Sequence, residues 1–250
     1  MGLVQAEILK ISKRRVFWVM LIILLVLTAF TALIFLVAPR FAEDIPLRVE
    51  KPSAYLIGAQ QVAGQTWFPL ILAAMLLGGE VASTAWASAL TRESRRARHL
   101  FARLSVTTAG SWLAMLLAVG AFSIAVAIIA DGSGTLEGSE WFGIFWKTGL
   151  ITLTWVAIGL AAAAWLRSVG PAIAAGLAFN FVDQLAALWA PYRRISFSIN
   201  SAALLGPLDV INVGDILGDT PEFGQALAVV LAWTILAVVA AWAGLQYRDA

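Results

Sequence analysis

The sequence predicts an all-α polytopic membrane protein with six transmembrane helices, and three observations carry that prediction. Of the 250 residues, 61% are hydrophobic and 13% charged, against roughly 25% charged in a soluble domain. Six apolar runs are each long enough, at about 1.5 Å per residue, to cross the ~30 Å hydrocarbon core of a bilayer. Lysine and arginine are distributed unequally among the connecting segments, as membrane orientation demands. A single transmembrane domain over residues 1–250 follows, with no stretch left for a separate soluble domain.

Residues 1–15 open the chain as an expected interfacial helix. Val4, Ile8 and Ile11 recur at helical spacing, while Lys10, Lys13, Arg14 and Arg15 follow them or face away, the pattern of a helix lying in the headgroup layer. A frayed basic tail is the alternative. The first span, 16–37, has 22 apolar residues, well beyond the roughly 7–15 of a signal-peptide core, so it reads as a retained span. The others follow at 66–86, 104–130, 141–164, 170–190 and 223–246. About five residues join the fourth and fifth spans, which makes them antiparallel neighbours. Residues 38–65 read as a long outer loop. In the outer segment 195–222, the apolar stretches 202–205 and 210–212 flank Gly206 and Pro207 and read as short helices dipping into the membrane surface.

Six spans put both termini on one side. With that side inside, eleven of the seventeen basic residues are cytoplasmic and five lie in outer loops, while Lys147 falls near the outer end of the fourth span. This asymmetry predicts a multi-pass protein of the cell inner (plasma) membrane with both termini cytoplasmic. Trp67, Trp141 and Trp189 fall near outer edges and Trp18, Trp86 and Trp165 near inner ones, as an aromatic belt requires. Trp112, Trp155 and Trp233 fall deeper and read as packing residues.

Composition also excludes chemistry. There is no cysteine and one histidine, which removes disulfides, a thiolate nucleophile and any multi-histidine metal site. Phosphate-loop, HExxH and GxSxG signatures are absent. The chain therefore reads as a non-enzyme without a cofactor of its own.

Three sets of residues stand out. Glu80 lies in the second span, where a bare carboxylate costs roughly 2.5–3.5 kcal/mol or more unless it faces protein or water. It reads either as a hinge or relay residue, or as a carboxylate satisfied by an arginine or by the Ser83 and Thr84 hydroxyls. Between the second and third spans, residues 87–103 hold five arginines flanked by Ala87, Leu90, Leu100 and Phe101. That segment reads as a cytoplasmic helix, bound either to anionic membrane lipid or to a groove in a partner protein. It lacks the aromatic platform a nucleic acid would need, and His99 reads as a polar surface residue of it. In the fifth span, Gly176, Asn180 and Asp183 share one helical face with Ala187, and Gln184 lies alongside. That face is expected to line a substrate path or a dimer face, unless the helix ends early and Asp183 already stands at the outer surface.

Taken together, the basic interfacial start at residues 7–18, six spans, Glu80, the Ser83–Thr84 pair, Leu90–Thr91–Arg92, Ser94–Arg95 and Arg103 resemble the membrane subunits of ATP-binding-cassette exporters of the type-2 permease family. Two positions depart from the family pattern: Ser83 stands where glycine is usual, and Trp86 near a position that is often basic. The resemblance implies that 87–103 is the coupling helix, with Leu90, Thr91, Arg92, Glu93, Ser94, Arg95, Arg96 and Arg98 engaging a cytoplasmic ATPase subunit. It further implies that ATP and Mg bind on that partner, and that a second permease completes a homo- or heterodimer. A hydrophobic or amphipathic substrate would be exported. Two other readings stay open: a non-transporting membrane scaffold of a larger complex, and an ion-coupled carrier with Asp183 as its coupling site.

Overall fold

The computed structural model describes residues 2–37, 51–83, 96–130, 133–206 and 221–247. Ten α-helices lie among them: α1 (Leu3–Lys13), α2 (Arg15–Val37), α3 (Lys51–Ala63), α4 (Trp67–Val81), α5 (Arg96–Ile129), α6 (Gly138–Leu166), α7 (Val169–Ala186), α8 (Ala190–Arg193), α9 (Phe197–Leu205) and α10 (Phe223–Tyr247). Six helical stretches, with α3 and α4 joined as one, are long and apolar enough to cross a membrane. The protein is an all-helical, multi-pass membrane protein. Its outer surface agrees with this, since Ile22, Ile124, Phe181 and Leu236 are all exposed in the manner of lipid-facing side chains.

The bundle is built around α4 and α6. Helix α4 is apolar on every side, and Phe68, Leu70, Leu72, Ala73, Ala74, Leu76 and Leu77 are all buried, as a helix without a polar face must be. One flank packs against α2, α3 and α5 through Leu24, Phe68, Leu72, Met115 and Phe122. The other packs against α6, α7 and α10, by small residues such as Ala157, Ala163, Ala172 and Ala241 at one end and by Leu70, Trp155, Phe197 and Val230 at the other. Close approach of α4 to α6 requires Gly159, where a Cβ would fall 2.6 Å from the Leu70 carbonyl oxygen. Within the bundle the Thr154 and Thr234 hydroxyls lie 2.6 Å apart and join α6 to α10.

Helix α1 and the end of α10 lie at one end of the bundle, hereafter the near end. There α1 packs on the start of α5, with Ile11 beside Gly110, and Leu245 of α10 joins Leu100, Leu104 and Ala164 in one cluster.

Several boundaries differ from the sequence reading. Residues 51–63, read as loop, form a buried helix that packs on α5, with the Gly58 Cα against the Phe122 ring. The polar residues Lys51, Ser53, Gln60 and Gln61 interrupt its apolar pattern and concealed it. Helix α5 runs without a break from Arg96, so residues 96–103 continue the third span instead of forming a separate helix. Helix α7 ends at Ala186, and only Arg167 and Ser168 separate it from α6. Arg167 makes that turn with a left-handed backbone, φ 53°. Of the expected outer helices, Phe197–Leu205 is observed; residues 207–220 lie outside the described residues.

Candidate functional site

At the near end a buried ionic cluster joins three helices. Glu7 of α1, Glu80 in the last turn of α4 and Arg103 of α5 are 3%, 7% and 2% exposed. Charges this secluded persist only when paired. Lys10 Nζ donates to Glu7 Oε1 and Glu80 Oε1, 2.8 Å in each case. Arg103 Nη2 donates to Glu7 Oε1 at 3.3 Å and also to Glu80 Oε2. Two cations thus meet two carboxylates, and the four formal charges cancel. Burial pushes the Glu7 carboxyl upward, but Arg103 and Lys10 outweigh it and hold the group below its ordinary value of 4.5.

The surrounding backbone holds the cluster in place. Arg14, at the extended junction between α1 and α2, donates from Nη1 to the Met75 carbonyl of α4 at 3.3 Å. Trp18 Nε1 donates back to the Ser12 carbonyl at 2.9 Å. Helix α1 is therefore fastened to α4 and α5 and not merely laid beside them. Val4 and Ile8 stay exposed, as a lipid-facing stripe would, whereas Ile11 turns with Glu7 into the bundle.

Glu80 and Arg103 stand on either side of the arginine-rich segment, so their ion pair closes its base. Residues 84–95, which include Leu90, Thr91, Arg92, Glu93, Ser94 and Arg95, lie outside the described residues. Arg96 starts α5 and Arg98 is exposed in its first turn. His99 is 5% exposed and so is not the surface residue expected from its polarity; the unbroken helix turns it inward. Ser83 Oγ donates to the Glu80 carbonyl oxygen at 3.1 Å, so this hydroxyl serves the backbone and not the carboxylate.

The polar residues of α7 separate into two roles at the far end. Asp183, 2% exposed, gathers the short helices that follow. Its oxygens accept from Tyr192 Oη at 2.8 Å, Ser196 Oγ at 3.1 Å, Phe197 N at 3.2 Å, and Ser198 N and Oγ at 2.8 and 2.6 Å. Burial, the hydrogen bond and the charge of Asp183 push the Tyr192 phenol up to about 12. Asn180 and Gln184 instead border a small cavity, and Gly176 packs against the Leu70 side chain of α4. Thus the one predicted face meets a helix, a cavity and a carboxylate clasp in succession. Sequence reasoning missed Glu7, Lys10, Tyr192, Ser196 and Ser198 as partners; the i, i+3 spacing of Glu7 and Lys10 was the only local signal.

Compared with known proteins, the chain matches no family model, and no curated protein is significantly similar to it in sequence.

Proposed function

We propose that this protein is the permease subunit of an ATP-driven exporter, pushed at residues 87–103 by a separate ATPase. The observation that carries the reading is the buried cluster of Glu7, Lys10, Glu80 and Arg103. It ties the base of the arginine-rich segment to α1 and to the central helix α4. A load on that segment would pass through the ion pairs into α4, which contacts both flanks of the bundle. In this reading the near end, which gathers eight of the twelve described lysines and arginines, faces the cytoplasm. The sequence resemblance to type-2 permeases supports the same assignment. The cargo class it favours is hydrophobic or amphipathic, moved outward by a pair of permeases. Asp183, engaged by five donors, has a structural position in this scheme and not an ion-coupling one.

The test is co-purification from the native membrane in mild detergent. A stoichiometric subunit carrying a phosphate-loop lysine is expected, and R92E/R95E should remove it while the permease stays inserted. Recovery only with other membrane proteins, and no nucleotide-binding chain, would replace this reading with a scaffold.

A further inference from the structure

A cavity of about 100 Å³ lies among α3, α6, α7 and α9, bordered by Gln60, Thr66, Trp155, Asn180, Gln184 and Ser201. Trp155 and Asn180 each stand eleven residues from the near end of their helix, at Leu166 and Val169, or about 16 Å at 1.5 Å per residue. That is bilayer depth, where a polar lining marks either packed protein or a binding space. Three side-chain amides, those of Gln60, Asn180 and Gln184, stand on the cavity wall at this depth, and such a lining points to a guest.

The lining also specifies the guest. Gln60 Nε2 is used by the Gly206 carbonyl, which leaves its Oε1 free to accept. Gln184 Nε2 donates to Asn180 Oδ1 at 3.1 Å, which leaves the Asn180 NH₂ free to donate and Gln184 Oε1 free to accept. Donors and acceptors are therefore mixed. No lining residue carries a formal charge, so an ion would enter without a counter-charge at a depth where that is costly. The volume falls well short of the roughly 300–1,000 Å³ of a drug-sized pocket. A hydroxyl, which donates and accepts through one atom, suits both limits. We propose that this cavity binds a neutral hydroxyl-bearing group, supplied either by the headgroup of an uncharged lipid or by a free polyol. The site lies within one chain and stands apart from the ATPase reading.

The full-length protein in detergent, without any ATPase, is titrated with 1,2-dioleoylglycerol and with its charged counterpart dioleoylphosphatidic acid, and bound lipid is read by native mass spectrometry. Glycerol binding is read separately by saturation-transfer NMR. Expected is retention of dioleoylglycerol over phosphatidic acid, or saturation transfer to glycerol; the probe that binds identifies the source. Asn180→Leu should weaken that binding roughly tenfold, as loss of one buried hydrogen-bonding group does. Gln184→Leu removes the exposed member of the same amide pair and should weaken binding likewise. Should Asn180→Leu fail to fold, Gln184→Leu still decides. Binding of neither neutral probe, preference for phosphatidic acid, or binding unchanged in a folded Asn180→Leu or Gln184→Leu protein overturns the proposal.

Discussion

Arg103 is the buried cation of the near end: like Lys10 it pairs with both carboxylates, but its side chain is 2% exposed against 37% for Lys10. Arg103→Gln leaves Glu7 and Glu80 with Lys10 alone, so one negative charge is uncompensated. A loss of about 3–5 kcal/mol is expected from breaking such a pair, seen as a lower unfolding temperature in detergent. The double variant Glu80→Gln/Arg103→Gln restores neutrality and should recover much of that loss; equal damage in both would show that charge balance is not what matters. Acid acts on the same group. Because the folded Glu7 titrates below 4.5, its contribution is present above that pH and fades as pH falls through the depressed value. Glu7→Gln should flatten the acid limb of the stability profile. The sign reverses at the far end. Tyr192, raised from 10.0 to about 12, contributes fully below pH 10 and loses that contribution as pH rises towards 12. Tyr192→Phe should remove this alkaline limb. At this scale the sequence disclosed which groups were costly, and offered an arginine as a partner for Glu80, but not which arginine. Glu80 had to face inward because lipid rejects a carboxylate, whereas its partners Lys10 and Arg103 lie 70 and 23 positions away, beyond any local pattern.

Among the elements, legibility followed apolar length. Helices α2, α6 and α10 appear close to where unbroken hydrophobic runs placed them, since a span needs nothing but length and apolarity to be recognised. Helix α3 escaped notice because its glutamines and lysine imitate a loop. Tertiary contacts such as those of Gly58 with Phe122 and Tyr55 with Trp141 reveal that it is packed. The short α8 and α9 were visible only as apolar fragments, because their positions depend on Asp183 supplying acceptors from another helix. The contact between α4 and α6 gives an expectation at this scale. Gly159→Leu must push the Leu70 backbone aside and should cost about 1–3 kcal/mol or more, as overpacking does. Gly159→Ala should cost less, because a lone methyl asks for a smaller displacement. Thermal unfolding of the two variants, compared with Gly120→Ala, where a Cβ meets nothing within 4 Å, separates overpacking from a general loss of glycine.

For the molecule as a whole, the absence of cysteine makes orientation directly measurable. Single cysteines at Ser12 of α1 and Ser139 of α6 should react with a membrane-impermeant maleimide from opposite sides of the membrane, Ser12 from the cytoplasm. Labelling of both from one side would overturn the six-span arrangement. The unequal helix lengths lead to a different consequence. With 18 residues α7 is about 27 Å long, while the apolar part of α5, the 26 residues from Leu104 to Ile129, extends to about 39 Å. Lipid beside α7 must therefore meet a shorter hydrophobic wall than lipid beside α5, and the bilayer around this protein is expected to be pinched on one flank. Such mismatch costs fractions of a kcal/mol per Å, enough to favour thin membranes over thick ones. Reconstituted into bilayers of increasing acyl length, the protein should be most stable where the hydrocarbon thickness matches its shortest span.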